Sequence, residues 1–140
     1  MMDWEECCGR DIAKDVKADK DMISSLIKTS KNKSDTEEMI KLSAITASSK
    51  ITLAYDSLRE LLEALALKKG YKIYNHECYA AFLKEIMDES EAGDEFDKIR
   101  KIRNAVNYYG KDITEKEAEN LILKIRKLGA FVSELMKKSK

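Results

Sequence analysis

The apolar positions of the chain recur at intervals of three and four residues, the period of helices that bury one face. Ile12, Val16, Ile23, Leu26 and Ile27 stand among lysines and aspartates and predict a first helix from about residue 12. The signal fades through Thr29-Ser30-Lys31-Asn32-Lys33. Ser34 with Glu37, or Asp35 with Glu38, then has the spacing of a capping box and predicts the start of a second helix. Met39, Leu42, Ile45, Ile51, Tyr55, Leu58, Leu62 and Leu65 carry that helix onward to a basic last turn, Lys68-Lys69, and a glycine stop at Gly70.

After a loop holding Tyr71 and Tyr74, residues 76–87 predict a short third helix with Tyr79, Phe82, Leu83 and Ile86 inward. Phe96, Ile99, Ile102 and Val106 predict a fourth from about residue 94 to Asn107. The fifth starts at Thr114, which forms a capping box with Glu117, and continues through Leu121, Ile122, Ile125, Leu128, Val132 and Leu135. Short connections favour antiparallel neighbours, so the expected fold is all-α: an up-and-down four-helix bundle with an additional short helix.

Composition agrees with one helical domain over residues 1–140. There is no proline and there are only five glycines, little of the turn material that a many-stranded β fold needs. Hydrophobic residues make up 44% and charged ones 37%, enough apolar surface to fold under a very polar exterior. Twenty-six bases balance 26 acids, which excludes a general basic coat for nucleic acid and makes any charge function local. No apolar run approaches the roughly 18 residues of a membrane span, and the polar stretch Met1 to Arg10 is unlike a signal peptide. Cys7, Cys8 and Cys78 are odd in number with two adjacent, poor material for a disulfide framework, so a reducing, cytoplasmic setting is expected. Together with His76 they lack the spacing of a zinc site. No metal and no cofactor is predicted, and His76 reads as a capping or surface residue.

Charge is segregated around the fourth helix. Asp88, Glu89, Glu91, Asp94, Glu95 and Asp97 come first, followed by Lys98, Arg100, Lys101, Arg103 and Lys111. This order suits the helix dipole. Arg103 lies seven and four residues after Phe96 and Ile99, on the apolar seam, and must find a partner there: a carboxylate or helix-end carbonyl of its own fold, or a ligand phosphate. Arg103, Asn104, Asn107, Tyr108 and Tyr109 set a guanidinium, two amides and two phenols at one helix end, a set able to grip a phosphate and stack on a base. Tyr71 and Tyr74 beside Lys68, Lys69 and Lys72 read as a loop packed over a bundle end.

The stretch Ile102-Arg103-Asn104-Ala105-Val106-Asn107-Tyr108-Tyr109-Gly110-Lys111 resembles the motif helix of HEPN domains, in which arginine and a following polar residue, usually asparagine, precede a histidine. Ala54-Tyr55-Asp56-Ser57-Leu58-Arg59-Glu60, Leu65-Ala66-Leu67-Lys68-Lys69-Gly70-Tyr71-Lys72 and His76-Glu77 before Phe82-Leu83 are similar to that family's second helix, glycine stop and third-helix start. The resemblance covers residues 36–136. It implies a four-helix bundle with an added short helix, a homodimer, a nucleotide or RNA ligand and, commonly, a nucleotidyltransferase partner in a toxin-antitoxin pair. Active members are metal-independent ribonucleases using arginine and histidine from both protomers. Here Arg103 and Asn104 match the motif, whereas the histidine window holds Tyr108, Tyr109 and Gly110. Arg103, Asn104 and Tyr108 are thus the candidate catalytic positions, and Arg103, Asn104, Asn107, Tyr108, Tyr109 and Lys111 the candidate ligand-binding ones. A phenol with a pKa of about 10 cannot easily do the proton transfers of an imidazole near 6.5, so nucleotide or RNA binding is expected over cleavage. A ribonuclease toxin and a non-enzymatic dimeric interaction module are the alternatives.

Overall fold

The computed structural model describes residues 1–108, the side chain of Tyr108 apart, and residues 112–139. In chain order it contains α1 (Trp4–Gly9), β1 (Ala13–Asp15), α2 (Lys20–Met39), α3 (Ala47–Lys68), β2 (Tyr71–Ile73), α4 (Glu77–Ala81), a π-helical turn (Phe82–Ile86), α5 (Ser90–Tyr108) and α6 (Glu115–Lys138). The fold is all-α in class, and among the described residues none of the helices is long and apolar enough to cross a membrane.

α3 is the spine against which α2, α5 and α6 all pack. Its Ile51, Leu58, Leu62 and Leu65 bury with Phe96 and Ile99 of α5 and with Ile125 and Val132 of α6. Each such side chain contributes about 1.5–3 kcal/mol when removed from water. The capping box that starts α6 is present: Thr114 Oγ1 accepts from Glu117 N at 3.1 Å, and Glu117 Oε1 accepts from Thr114 N at 3.2 Å.

Three sequence expectations need correction. First, no helix break falls near residue 34, because α2 runs unbroken from Lys20 to Met39 and the break lies between it and Ala47. The inward stripe of α2 does continue past Leu26 at helical spacing, but in polar residues: Ser30, Lys33 and Glu37 follow Ile23 and Leu26. α3 answers each of them. Ser30 Oγ donates to the Ser57 carbonyl at 2.7 Å, Lys33 pairs with Glu60 at 3.0 Å, and Glu37 pairs with Lys50 at 3.0 Å. The apolar residues expected to lead the second helix inward, Met39 and Ile45, are instead 85% and 90% exposed.

Second, the chain from Ile12 and the loop after Gly70 form a two-stranded antiparallel sheet that pairs Ala13 with Ile73, Lys14 with Lys72 and Asp15 with Tyr71. Gly70 stops α3 as predicted, at a φ of 92° that disfavours other residues, and its carbonyl accepts from Val16 N at 2.9 Å. Third, Cys7 and Cys78 form a disulfide with their Cα atoms 6.1 Å apart, contrary to the expectation that the cysteines stay unpaired. α1 packs on α4 and brings them together: Met2 N donates to Glu77 Oε1 at 3.2 Å, and the Trp4 ring lies 5.1 Å from Tyr71 and 6.0 Å from Phe82. Cys8 is the free, exposed cysteine, its thiol pushed up by burial and by Asp15 and Glu85.

α5 crosses the α4 segment closely at Gly93, where an added Cβ would stand 2.8 Å from the Ala80 carbonyl oxygen and overlap Lys84. This approach, with Phe96 stacked on Tyr55 at 5.9 Å and edge-on to Tyr79 at 6.2 Å, fixes α5 and the start of α4 on one face of α3.

Candidate functional site

On that face α3 carries Thr52, Tyr55, Asp56, Arg59 and Glu63 at helical spacing, and α5 carries Asp97, Arg100, Arg103, Asn104 and Asn107. Arg103 is 9% exposed, as its place on the apolar seam requires. Its guanidinium carbon lies 4.8 Å from the centre of the Tyr55 ring, and Nη1 donates to Asn104 Oδ1 at 3.3 Å. A cation over a desolvated aromatic face is worth about 1–2 kcal/mol, so the tyrosine supplies part of the partner that an inward arginine needs.

Tyr55 is fully buried, and its hydroxyl meets His76 Nδ1 at 3.1 Å. Burial pushes the phenol up to about 12, against the pull of Arg103, Arg100 and Arg59, so the hydroxyl keeps its proton through the neutral range. His76 is half-buried at the start of α4 and makes no side-chain cap, which corrects its reading as a capping or surface residue. Burial lowers its pKa, the positive charges of Arg59, Arg103 and Arg100 lower it further, and Asp56 opposes them. The imidazole is therefore held neutral beside three guanidinium groups.

Two carboxylates flank this centre, and each is shared by two bases. Glu63 accepts from Arg59 at 2.7 Å and from Lys72 at 3.0 Å. Asp97 accepts from Arg100 at 2.9 and 3.1 Å and pairs with Lys101 at 3.1 Å. Burial pushes both acids up, but the hydrogen bonds from their basic partners outweigh it and hold both carboxyls below the usual range. Among the described residues the cluster thus brings five bases, Arg59, Lys72, Arg100, Lys101 and Arg103, against three carboxylates, Asp56, Glu63 and Asp97. Glu60, whose charge Arg59 also feels, is answered by Lys33. A chain of zero formal charge has concentrated positive charge on this face.

Of the residues singled out from sequence, Arg103 and Asn104 are in contact with each other and lie in this cluster. Asn107 is on the same side, but its amide donates to Thr52 Oγ1 at 3.1 Å and ties α5 to α3. Tyr109 and Lys111 lie outside the described residues, as does the side chain of Tyr108. Tyr74 stands apart, under Lys14 and Lys72 at 5.8 and 6.0 Å from its ring, just after the strand that replaces the expected loop. Tyr55, Arg59, Glu63 and His76 carry no spacing that marks them from sequence, because they join Arg103 in one cluster only through the packing of α5 and α4 on α3.

Two cavities lie elsewhere. One of about 390 Å³ opens between α2, α3 and α6 beside Ser30, Glu37, Leu61 and Arg126. Another of about 500 Å³ lies where Leu128 and Phe131 of α6 face Glu91 and Glu95 of α5. Neither is lined by a residue of the cluster. No protein-family model, curated protein or solved structure matches the chain.

Proposed function

We propose that the chain is a HEPN-like binding module whose cluster around Tyr55, His76 and Arg103 takes the phosphate of a nucleotide or RNA. One observation carries the reading: among the described residues, five bases and a neutral imidazole gather with three carboxylates where α5, β2 and the start of α4 meet one face of α3, in a molecule with no net charge. Guanidinium groups fixed by Glu63 and Asp97 are already oriented for an anion, so binding costs little side-chain entropy. On this reading the helices form the up-and-down four-helix bundle of that family, and the protein is homodimeric and paired with a nucleotidyltransferase in a toxin-antitoxin system. The resemblance of residues 36–136 supports each of these points. A panel of nucleotides and a short single-stranded RNA, tested by thermal shift and fluorescence anisotropy, checks the ligand: the reading expects stabilisation and binding that weaken with added salt. Sedimentation at tens of micromolar checks the dimer.

A second reading, metal-independent RNA cleavage, gains support from His76. The motif helix lacks a histidine, but an imidazole from the start of α4 stands on the same tyrosine as Arg103. Cleavage of RNA in chelator that is lost in both Arg103→Ala and His76→Gln would favour this reading over binding alone.

A further inference from the structure

The phosphate site just proposed contains one group whose charge changes in the physiological range, and this inference rests on that reading. His76 is the single histidine of the chain. Its Nδ1 is committed to the Tyr55 hydroxyl at 3.1 Å, which leaves Nε2 as the nitrogen that can donate to an incoming anion. The charged and titratable groups around it are Tyr55, Asp56 and Arg59 from α3, Arg100 and Arg103 from α5, and Tyr79 from α4, whose ring centre is 6.3 Å away. Three are guanidinium groups and one is a carboxylate. With nothing bound, a proton on His76 is disfavoured by these cations and by burial. An anion placed among the same groups reverses the balance, because it screens the arginines and pairs with the imidazolium directly. Tyr55 suits both states: its hydroxyl donates to a neutral Nδ1 and accepts from a protonated one.

We propose that His76 is a proton-gated ligand of this site, which takes up a proton as a divalent terminal phosphate enters and donates Nε2–H to it. The site therefore prefers a phosphate monoester over an internal phosphodiester. The charge count gives the reason: bases exceed carboxylates by two in the resting cluster and positive charge by three once His76 is protonated, so a dianion leaves a surplus of one where a monoanion leaves two. Both the phosphate of a mononucleotide and the phosphorylated end of an RNA have this chemistry.

The single histidine makes the test direct, because its imidazole resonances are unambiguous by NMR. Sulfate is the first probe, since it stays divalent between about pH 5.5 and about pH 8, so any pH dependence belongs to the protein. The expected result is a rise in the His76 pKa of about one unit or more on saturation with sulfate, matched by calorimetric binding about tenfold tighter at the acid end. Dimethyl phosphate, a monoanion, should bind at least about tenfold more weakly than sulfate at the acid end. His76→Gln should retain sulfate binding without its pH dependence, while the wild-type NMR titration needs no variant to fold. Adenosine monophosphate and a 5′-phosphorylated RNA pentamer then separate the two sources, the tighter binder identifying the ligand. Sulfate binding that leaves His76 unmoved and is independent of pH would overturn the gate and leave the phosphate site standing. Absence of binding by sulfate, nucleotide and RNA alike would remove both.

Discussion

Two buried charge clusters sit on opposite faces of α3 and differ in how their charges are answered. On the α2 and α6 side, Glu37 is 1% exposed, and its carboxylate accepts from Arg126 at 2.6 and 2.8 Å and pairs with Lys50 at 3.0 Å. Lys50 Nζ also donates to the carbonyls of Glu37 and Ile40 at 2.7 and 2.6 Å, so it caps the C-terminal end of α2, where the helix dipole is negative. Each Lys50 donor has an acceptor from its own fold. On the α5 side, the described bases outnumber the carboxylates, Arg103 lies over the ring of Tyr55, and a neutral histidine is kept among the cations. The first arrangement closes a joint between three helices. The second gathers more bases than carboxylates among the described residues, and the proposed site rests on that difference.

Glu37→Ala should have the largest effect on stability. It strands the buried ammonium of Lys50 and should cost about 3–5 kcal/mol in urea unfolding. A loss near zero would mean that Glu37 does not close the α2 joint. Removing the Cys7–Cys78 link, by reductant or by Cys78→Ala, should cost about 2–4 kcal/mol, because the bridge spans 71 residues. Unchanged unfolding with and without reductant would show the link to be unformed in solution. Arg103→Ala should cost less than Glu37→Ala, its contact with Tyr55 being worth about 1–2 kcal/mol, while removing most anion binding. Similar losses for Arg103→Ala and Glu37→Ala would erase the distinction between the two faces.

The smallest expected effect is a pH dependence. The His76 pKa is lower in the folded protein than in the unfolded chain, so the unfolded chain binds more protons in the window below about 6.5. Without ligand, stability should therefore fall as pH drops through that window and level off below the folded value, and His76→Gln should flatten this limb. Glu63 and Asp97 act at lower pH: their carboxyls are held down in the fold, so their contribution is present above about pH 4 and is lost on further acidification. Unfolding midpoints measured from acid to neutral pH separate the two limbs.

Features whose partners are close in sequence were legible there. The capping box at Thr114 and Glu117, the glycine stop at Gly70 and the apolar stripe of α3 each involve residues a turn or two apart. The inward direction of Arg103 was also legible from its spacing to Phe96 and Ile99. α2 was misread because half of its buried stripe is polar: Ser30, Lys33 and Glu37 look like a break until Ser57, Glu60 and Lys50 are seen opposite. The two-stranded sheet escaped notice because Ala13-Lys14-Asp15 has little β propensity and gains its strand form only from the distant Tyr71-Lys72-Ile73. The disulfide and the meeting of His76 with Arg103 depend on how α1, α4 and α5 dock on their neighbours, and no spacing encodes that.

The central claim is that Arg103 serves a ligand more than it serves the fold. Its most direct test is the affinity of a fluorescent single-stranded RNA for wild-type protein and for Arg103→Ala across a series of salt concentrations. The account predicts salt-sensitive binding by the wild type, a loss of about tenfold or more in the variant, and a salt slope lower by about one. Equal affinity and equal slope for the two proteins would contradict it.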